Sequence, residues 1–387
     1  MTEPRVAIAY DCLYPVHAGG GERVYRRMAD LLVNRGAAVT YVTRADWATD
    51  AAPRARFDIA GVWRGEIADE SGTRTASSAV AFAGALFRHF LRHRGAYDLV
   101  IVAALPVLNV FAVRLALLGT RTVLATDWLE IWPWRKWRSY SGFAVGTIAY
   151  VLQSLGVRVG RIQTVNSAFT RARLIRSRPT ADPVVLGLVD LVGEATDAAS
   201  PPSRLPIALF VGRHIPDKRL DALPAALAAA RKTIPELEAV VAGSGPETDA
   251  ARRAAEAAGV ANAVRFAGRV DDRELGELMA TAAVLVNPSA REGFGLVVAE
   301  AAAHGTPSVV VAGDDNAAAE LVVDGENGFV AASVAPRALG TAIVRAVQGG
   351  DELRRSTSAW FARERRERSL ARSLDEILER WRAVSGR

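Results

Sequence analysis

The stretch Ile207–Gly243, IALFVGRHIPDKRLDALPAALAAARKTIPELEAVVAG, decides the fold. Ile207–Gly212 is an apolar run closed by glycine, Leu220–Thr233 is a helix rich in alanine and leucine, and Ala239–Gly243 is a second apolar run closed by glycine. Strands that are apolar on both faces must be covered on both faces. A parallel sheet flanked by helices meets that demand.

The alternation continues on either side. Downstream it predicts helix Glu247–Gly259, strand Ala263–Ala267, helix Asp272–Ala280, strand Ala283–Asn287, helix Leu296–His304 and strand Pro307–Val311. Upstream it predicts strands Arg5–Tyr10, Ala38–Thr43, Asp98–Ala104 and Arg121–Ala125, with helices Gly20–Arg35 and Ser78–His93 among them. Between the two series, Gly193–Pro206 (GEATDAASPPSRLP) holds three prolines and few apolar residues, which reads as a linker. The expected fold is α/β, with two Rossmann-like, doubly wound parallel-sheet domains. They are expected at 1–195 and 205–350, with C-terminal helices at 351–387 turned back toward the first domain. Ligands of such sheets sit at the carboxyl ends of the strands, so a cleft between facing domains is the expected site.

A chain of 387 residues, 50% hydrophobic and 23% charged, has enough apolar surface for two cores. That composition excludes a disordered, collagenous or coiled-coil protein. The single cysteine, Cys12, forms no intrachain disulfide and no cysteine zinc site. No charged segment followed by an apolar one opens the chain, so the cytoplasm is the expected location, with the inner face of the membrane as a variant. The net charge of +6 is uneven. Residues 1–200 carry 24 cations and 17 anions, a balance of +7, and residues 201–387 carry 24 and 25, a balance of −1. A basic first half suits an anionic membrane, a phosphorylated substrate or a nucleic acid.

Three motifs carry chemistry. Gly19, Gly20 and Gly21 follow the first strand and open the first helix, where backbone can approach a phosphate closely. In VGRHIPDKRLDAL, Val211–Leu223, Arg213 and Lys218 stand five apart at the end of a strand, two cations suited to a diphosphate. In NPSAREGFGLVVAEAAAHGTPSVV, Asn287–Val310, Glu292 lies in a loop freed by Gly293 and Gly295, and Glu300 follows eight positions later. Glu300 shares a helix face with Leu296. Two such carboxylates can hold hydroxyls at the two ends of a sugar nucleotide, with the helix amides between them facing its phosphates.

These motifs resemble the retaining glycosyltransferases of family four, which have the GT-B fold. The E-x7-E element is matched by Glu292 and Glu300, the phosphate-binding pair by Arg213 and Lys218, and further stretches by Gly243–Glu247 (GSGPE), Asn166–Leu174 (NSAFTRARL) and the Gly19–Gly21 loop. The resemblance implies a metal-independent transfer of sugar, hexosyl in kind, from a UDP- or GDP-linked donor to a glycan, lipid-linked or small-molecule acceptor. No further cofactor is implied. It gives Glu300 the donor's ribose hydroxyls. Glu292 takes a hydroxyl of the transferred sugar, aided by the amides of Gly293, Phe294 and Gly295. Arg213 and Lys218 take the diphosphate. Gly243 and Leu296 would line the donor, and Val270 would flank the base.

One position departs from the pattern. Relatives often carry a histidine in a segment like WHEVW, and this chain reads WLEIW, Trp128–Trp132, with Leu129 in its place. Asp127, Glu130 or His17 is then a candidate substitute, or acceptor binding differs, or the chain is a donor-binding protein with impaired catalysis. The segment Asp127–Tyr140 (DWLEIWPWRKWRSY) holds four of the eight tryptophans beside Arg135, Lys136 and Arg138. That mixture suits peripheral contact with an anionic membrane or, alternatively, a sugar platform. The uncharged run Ser139–Val157 that follows is expected as a buried helix. Nucleic acid is not an expected partner, because it would leave Glu292 and Glu300 unexplained.

Overall fold

The structure, a computed structural model, describes residues 4–17, 19–47, 53–67, 75–191 and 206–386. The linker read at Gly193–Pro206 lies outside them except for Pro206. The chain forms two compact units, Met1–Leu191 with Arg368–Arg387, and Val192–Glu367.

The first unit runs β1 (Arg5–Ala9), α1 (Gly20–Asn34), β2 (Ala38–Arg44), β3 (Asp58–Trp63), α2 (Ala76–Arg92), β4 (Leu99–Ala103), α3 (Leu108–Ala116) and β5 (Val123–Trp128). It continues with α4 (Trp134–Ser141), α5 (Phe143–Gly156), β6 (Ile162–Val165), α6 (Ala168–Ser177) and β7 (Val184–Val185). The sheet order is β3-β2-β1-β4-β5-β6-β7 and every pairing is parallel. β4 (LVIVA) is buried along its whole length, which is why its sequence carries no polar alternation. α1 buries Val24, Tyr25, Met28, Ala29, Leu31 and Leu32 at helical spacing, and each large side chain contributes about 1.5–3 kcal/mol by leaving water.

The second unit holds β8 (Ile207–Val211), α7 (Ala222–Ala230), β9 (Glu238–Ala242), α8 (Thr248–Ala257), β10 (Val264–Gly268), α9 (Asp272–Thr281) and β11 (Val284–Asn287). Then come α10 (Leu296–Ala303), β12 (Ser308–Val311), β13 (Gly328–Ala331), α11 (Pro336–Gln348) and α12 (Gly350–Glu367). Its sheet is also parallel, in the order β10-β9-β8-β11-β12-β13. Both sheets therefore reverse direction once, between β1 and β4 and between β8 and β11. Loops after those strands are where a doubly wound sheet offers a ligand site. One face of the second sheet packs Phe210, Leu223, Leu227, Val241, Val286, Val309 and Ile343 into a single core.

The tail, expected as one helical block turned toward the first domain, is divided. α12 belongs to the second unit, while α13 (Leu370–Ser385) belongs to the first. The break is written locally, because Ser369 caps α13 by accepting from the amide of Arg372. α13 is then fixed to the first unit at several points. Arg35 Nε lies 2.6 Å from Asp375, Gly187 N donates to Ser373 Oγ at 2.8 Å, and Leu370 N donates to Asp190 at 2.7 Å.

The expectation of a buried helix over Ser139–Val157 is not met. The segment is the end of α4 and all of α5, and α5 buries only Gly146, Gln153 and Gly156. Its large apolar residues Phe143, Val145, Ile148, Val151 and Leu155 are exposed, while the inner positions hold two glycines and a hydrogen-bonded glutamine.

Arg354 of α12 is buried and donates to the carbonyls of Ala280 and Ala282, both at 2.7 Å, and of His304 at 3.3 Å. Those carbonyls end α9 and α10, where intrahelical partners run out. One guanidinium thus closes two helices, although burial lowers its pKa from the ordinary value. Arg354→Met should destabilise the second unit by about 3 kcal/mol or more, since the carbonyls stay buried without their charged donor. Urea denaturation monitored by far-UV circular dichroism would read the loss.

Candidate functional site

The crossover between β8 and β11 brings two loops together. The loop after β8 carries Arg213 and a short 3-10 turn, Pro216–Lys218. The loop after β11 carries Glu292. Lys218 Nζ donates to Glu292 Oε1, and the same oxygen accepts from Ser289 Oγ at 2.8 Å and Asn287 Nδ2 at 3.2 Å. Only 20% of the Lys218 side chain and 12% of the Glu292 side chain are exposed. A carboxylate so withdrawn from water needs hydrogen-bond donors, and three converge on this oxygen. Arg213 is exposed and has no carboxylate partner among the described residues.

Further bonds stitch the loops. Arg219 sits at φ +46° and donates to the carbonyls of Pro288 at 2.8 Å and Ser289 at 2.9 Å. Ala290 N donates to Asp217 O at 2.8 Å, and Arg291 pairs with Asp217 at 2.8 Å. Arg219, Asn287 and Ser289 were not singled out from sequence. Each lies within five residues of a flagged position, but a supporting role leaves no spacing signal.

Beyond Glu292 the chain turns into α10. Glu292 is held by its own backbone, with Glu292 N donating to Asp315 O at 3.0 Å and Ala317 N to Glu292 O at 2.9 Å. Phe294 is buried, and Gly295 caps α10 without any side-chain hydrogen bond to the first amides. Unsatisfied amides at a helix start favour an anion. Along α10, Val298, Ala299, Ala301, Ala302 and Ala303 are buried, while Leu296, Val297 and Glu300 are half-buried. The last three make one side of the helix, so Leu296 and Glu300 share a face as their spacing predicts. Gly293 is half-buried in the approach to it.

Gly243 stands where the loops after β8 and β9 touch. Its φ is +128°, and a Cβ there would lie 1.9 Å from the Gly212 carbonyl oxygen. Beside it, His214 is 1% exposed, its Nδ1 is 2.7 Å from Thr248 Oγ1, and its Nε2 has no partner. Burial, then the nearby Arg252, lowers the His214 pKa and keeps the ring neutral. Val270 is half-buried after β10, where Gly268 O accepts from Gly243 N at 2.7 Å.

Residues 194–360 match the family described as Glycosyl transferases group 1. The chain is 39% identical over 129 residues to a glycogen synthase of Mycobacterium tuberculosis, which covers 33% of this chain and 30% of that protein. It is 34% identical over 145 residues to a GDP-mannose-dependent alpha-(1-6)-phosphatidylinositol monomannoside mannosyltransferase of Mycolicibacterium smegmatis, covering 36% of this chain and 37% of that protein. The chain thus spans about a third of the length of these relatives. In three dimensions it resembles a sucrose-phosphate synthase from Thermosynechococcus elongatus, with a TM-score of 0.80, 20% identity, and coverage of 98% of this chain and 100% of that one. The fold is GT-B.

The matched segment contains every flagged residue from Arg213 to Glu300. The first unit holds the others. α1 starts at Gly20 behind Gly19, and a Cβ on Gly21 would lie 2.8 Å from the Tyr10 hydroxyl. At least one of the three glycines therefore admits a side chain of this protein. His17 Nε2 lies 2.9 Å from Asp46 and 2.5 Å from Arg44 Nη2, and Arg44 Nη2 also pairs with Asp46 at 2.9 Å. Asp127 is fully buried. It accepts from the Tyr25 hydroxyl and from Thr164 Oγ1, each at 2.5 Å, and burial raises its pKa. These partners occupy Asp127 in tying α1 to β5 and β6, which removes it as a stand-in for the missing histidine. Glu130 accepts from Trp132 Nε1, and Leu129 beside it is half-buried.

Gly243→Ala should destabilise the second unit by about 2 kcal/mol or more, because the added carbon meets backbone at a φ that side chains avoid. A lowered denaturation midpoint would show it, whatever the ligand.

Proposed function

We propose that the chain moves a hexosyl group from a UDP- or GDP-linked donor to a glycan, lipid-linked or small-molecule acceptor. Transfer proceeds with retention at the anomeric carbon and needs neither a metal nor a further cofactor. The observation that carries this reading is the pairing of Lys218 with Glu292 across the loops after β8 and β11, beside the uncapped start of α10. Breaking the sugar–phosphate bond builds negative charge on the leaving diphosphate. Lys218, Arg213 and the α10 amides are fixed positive partners for that charge, and each such donor is worth about 10²–10³ in rate. The departing phosphate oxygen takes the acceptor's proton on the face it leaves. The acceptor oxygen bonds the anomeric carbon on that same face, so configuration is kept and no side-chain base is consumed. Glu292 retains one oxygen for a hydroxyl of the sugar, and Glu300 takes the ribose hydroxyls. Gly243 and Leu296 line the donor, and Val270 flanks its base.

A second reading is favoured by one observation. Leu129 stands where relatives often carry histidine, and Asp127 is committed to Tyr25 and Thr164. That arrangement suits a donor-binding protein that transfers poorly.

Two measurements test the proposal. Glu300→Ala should weaken binding of the nucleotide sugar by about 1.5–3 kcal/mol in isothermal titration, and wild-type affinity would remove Glu300 from the site. The product's anomeric configuration, read by NMR with and without EDTA, should be retained in both. Inversion, or activity lost to EDTA and restored by a divalent ion, would defeat the mechanism, and donor binding without transfer would establish the second reading.

A further inference from the structure

α5 is built inside out. Its inner face consists of Gly146, Gln153 and Gly156. A Cβ on Gly146 would lie 2.4 Å from the Trp137 carbonyl oxygen, and one on Gly156 would lie 2.8 Å from Val107 and 3.2 Å from Trp128. Gln153 donates to Trp132 O at 2.8 Å and accepts from Trp132 N at 3.0 Å and Trp137 Nε1 at 3.1 Å. The outer face carries Phe143, Val145, Ile148, Val151 and Leu155, which are 65%, 54%, 61%, 49% and 51% exposed. An ordinary surface helix turns its large apolar residues inward. Here small and polar residues fix the helix, and the apolar stripe faces out. Eight of the fourteen exposed large hydrophobic side chains among the described residues fall between Trp134 and Leu155. Scattered exposed apolar groups need no explanation, but a concentrated patch marks an interaction surface.

Charge identifies the occupant. From residue 131 to residue 181 the sequence has nine cations and no aspartate or glutamate. Arg135, Lys136 and Arg138 stand on α4, and Arg158 follows α5. Arg138 lies 4.4 Å from the ring centre of Trp134 and 4.9 Å from that of Phe143, so charge and apolar face are continuous. Arg173 Nη1 donates to Ile131 O at 3.0 Å, which ties the basic helix α6 to the segment entering α4. Against a second copy of this chain, such a surface would set cations against cations.

We infer that the α4–α5 hairpin lies in the interface of an anionic lipid bilayer, with Phe143, Ile148 and Val151 among the acyl chains and the α4 arginines at the phosphates. The helices lie along the surface. α5 has 14 residues, about 21 Å at the usual rise, against about 30 Å of hydrocarbon. No helix among the described residues is long and apolar enough to cross a membrane. Trp132, a lipid contact in the reading of the sequence, is buried and supports α4 from within. The outer residues of α5 take its place.

Vesicle flotation tests the inference without reference to sugar transfer. The full chain should float with phosphatidylcholine vesicles containing 30% phosphatidylglycerol, much less with phosphatidylcholine alone, and less as salt rises. Phe143→Ser/Ile148→Ser/Val151→Ser should cut partitioning at least tenfold while leaving the circular dichroism melt unchanged, since these side chains point outward. Arg135→Gln and Arg138→Gln should each cut it about fivefold, matching ~1 kcal/mol per cation near an anionic surface. Failure of the wild type to float at low salt overturns the inference, as does wild-type partitioning by the triple variant. A sedimentation-velocity dimer of the wild type that the triple variant abolishes, without vesicle binding, would assign the face to a second copy instead.

Discussion

The geometry of the second unit turns on a nearly buried carboxylate and the donors that converge on it. Glu292 is mostly out of water, and a buried carboxylate without donors is costly. Three converge on one of its oxygens, and each is fixed in turn. Asn287 Oδ1 accepts from Ser289 N at 3.1 Å, and Asn316 Nδ2 donates to Ser289 O at 3.1 Å and Val311 O at 2.8 Å. Arg219 holds the same loop through the Pro288 and Ser289 carbonyls. The ends of β8, β11 and β12 are thereby bound into one network. Moving any member leaves a buried polar group unpaired, which costs more than the bond itself contributes. The start of α10 inherits its position from this network, and its far end is held by Arg354.

The network also sets the local field. Lys218 is paired with Glu292, while Arg213 is exposed with no carboxylate partner among the described residues, so Arg213 and the α10 amides add to the positive potential of the loops. A site of this kind discriminates by geometry, because the charge available to an anion comes from groups whose directions are already fixed.

Much of this was legible in the sequence, for reasons that differ by element. β4 and β8 are apolar throughout, and β9 is apolar after its first residue, with glycine or proline signals nearby, so their type was clear. β3 (DIAGVW) is half exposed at a sheet edge and β13 (GFVA) has four residues, and neither carries a periodicity strong enough to read. Lys218, Glu292 and Glu300 could be singled out because the family pattern they resemble has a fixed spacing. Asp127 stayed one candidate among several in the sequence, because an acid at a strand end looks the same whether it faces a ligand or, as here, a tyrosine 102 positions earlier. α5 was misread because composition records that a helix is apolar, not which of its faces turns inward.

The division of the tail has a consequence for how the protein is made. Because α13 belongs to the first unit and α12 to the second, the second unit is a continuous insertion within the first. A ribosome therefore releases the whole of the inserted unit before the last helix of its host. Until then the groove along α1 that receives Arg35–Asp375, and the Asp190 carboxylate that caps Leu370, wait without their partners. The inserted unit has no such debt, since its sheet, its core and the Arg354 clasp all lie within one uninterrupted stretch. Vectorial synthesis thus completes the inner unit first and leaves the outer one open until about the last twenty residues arrive.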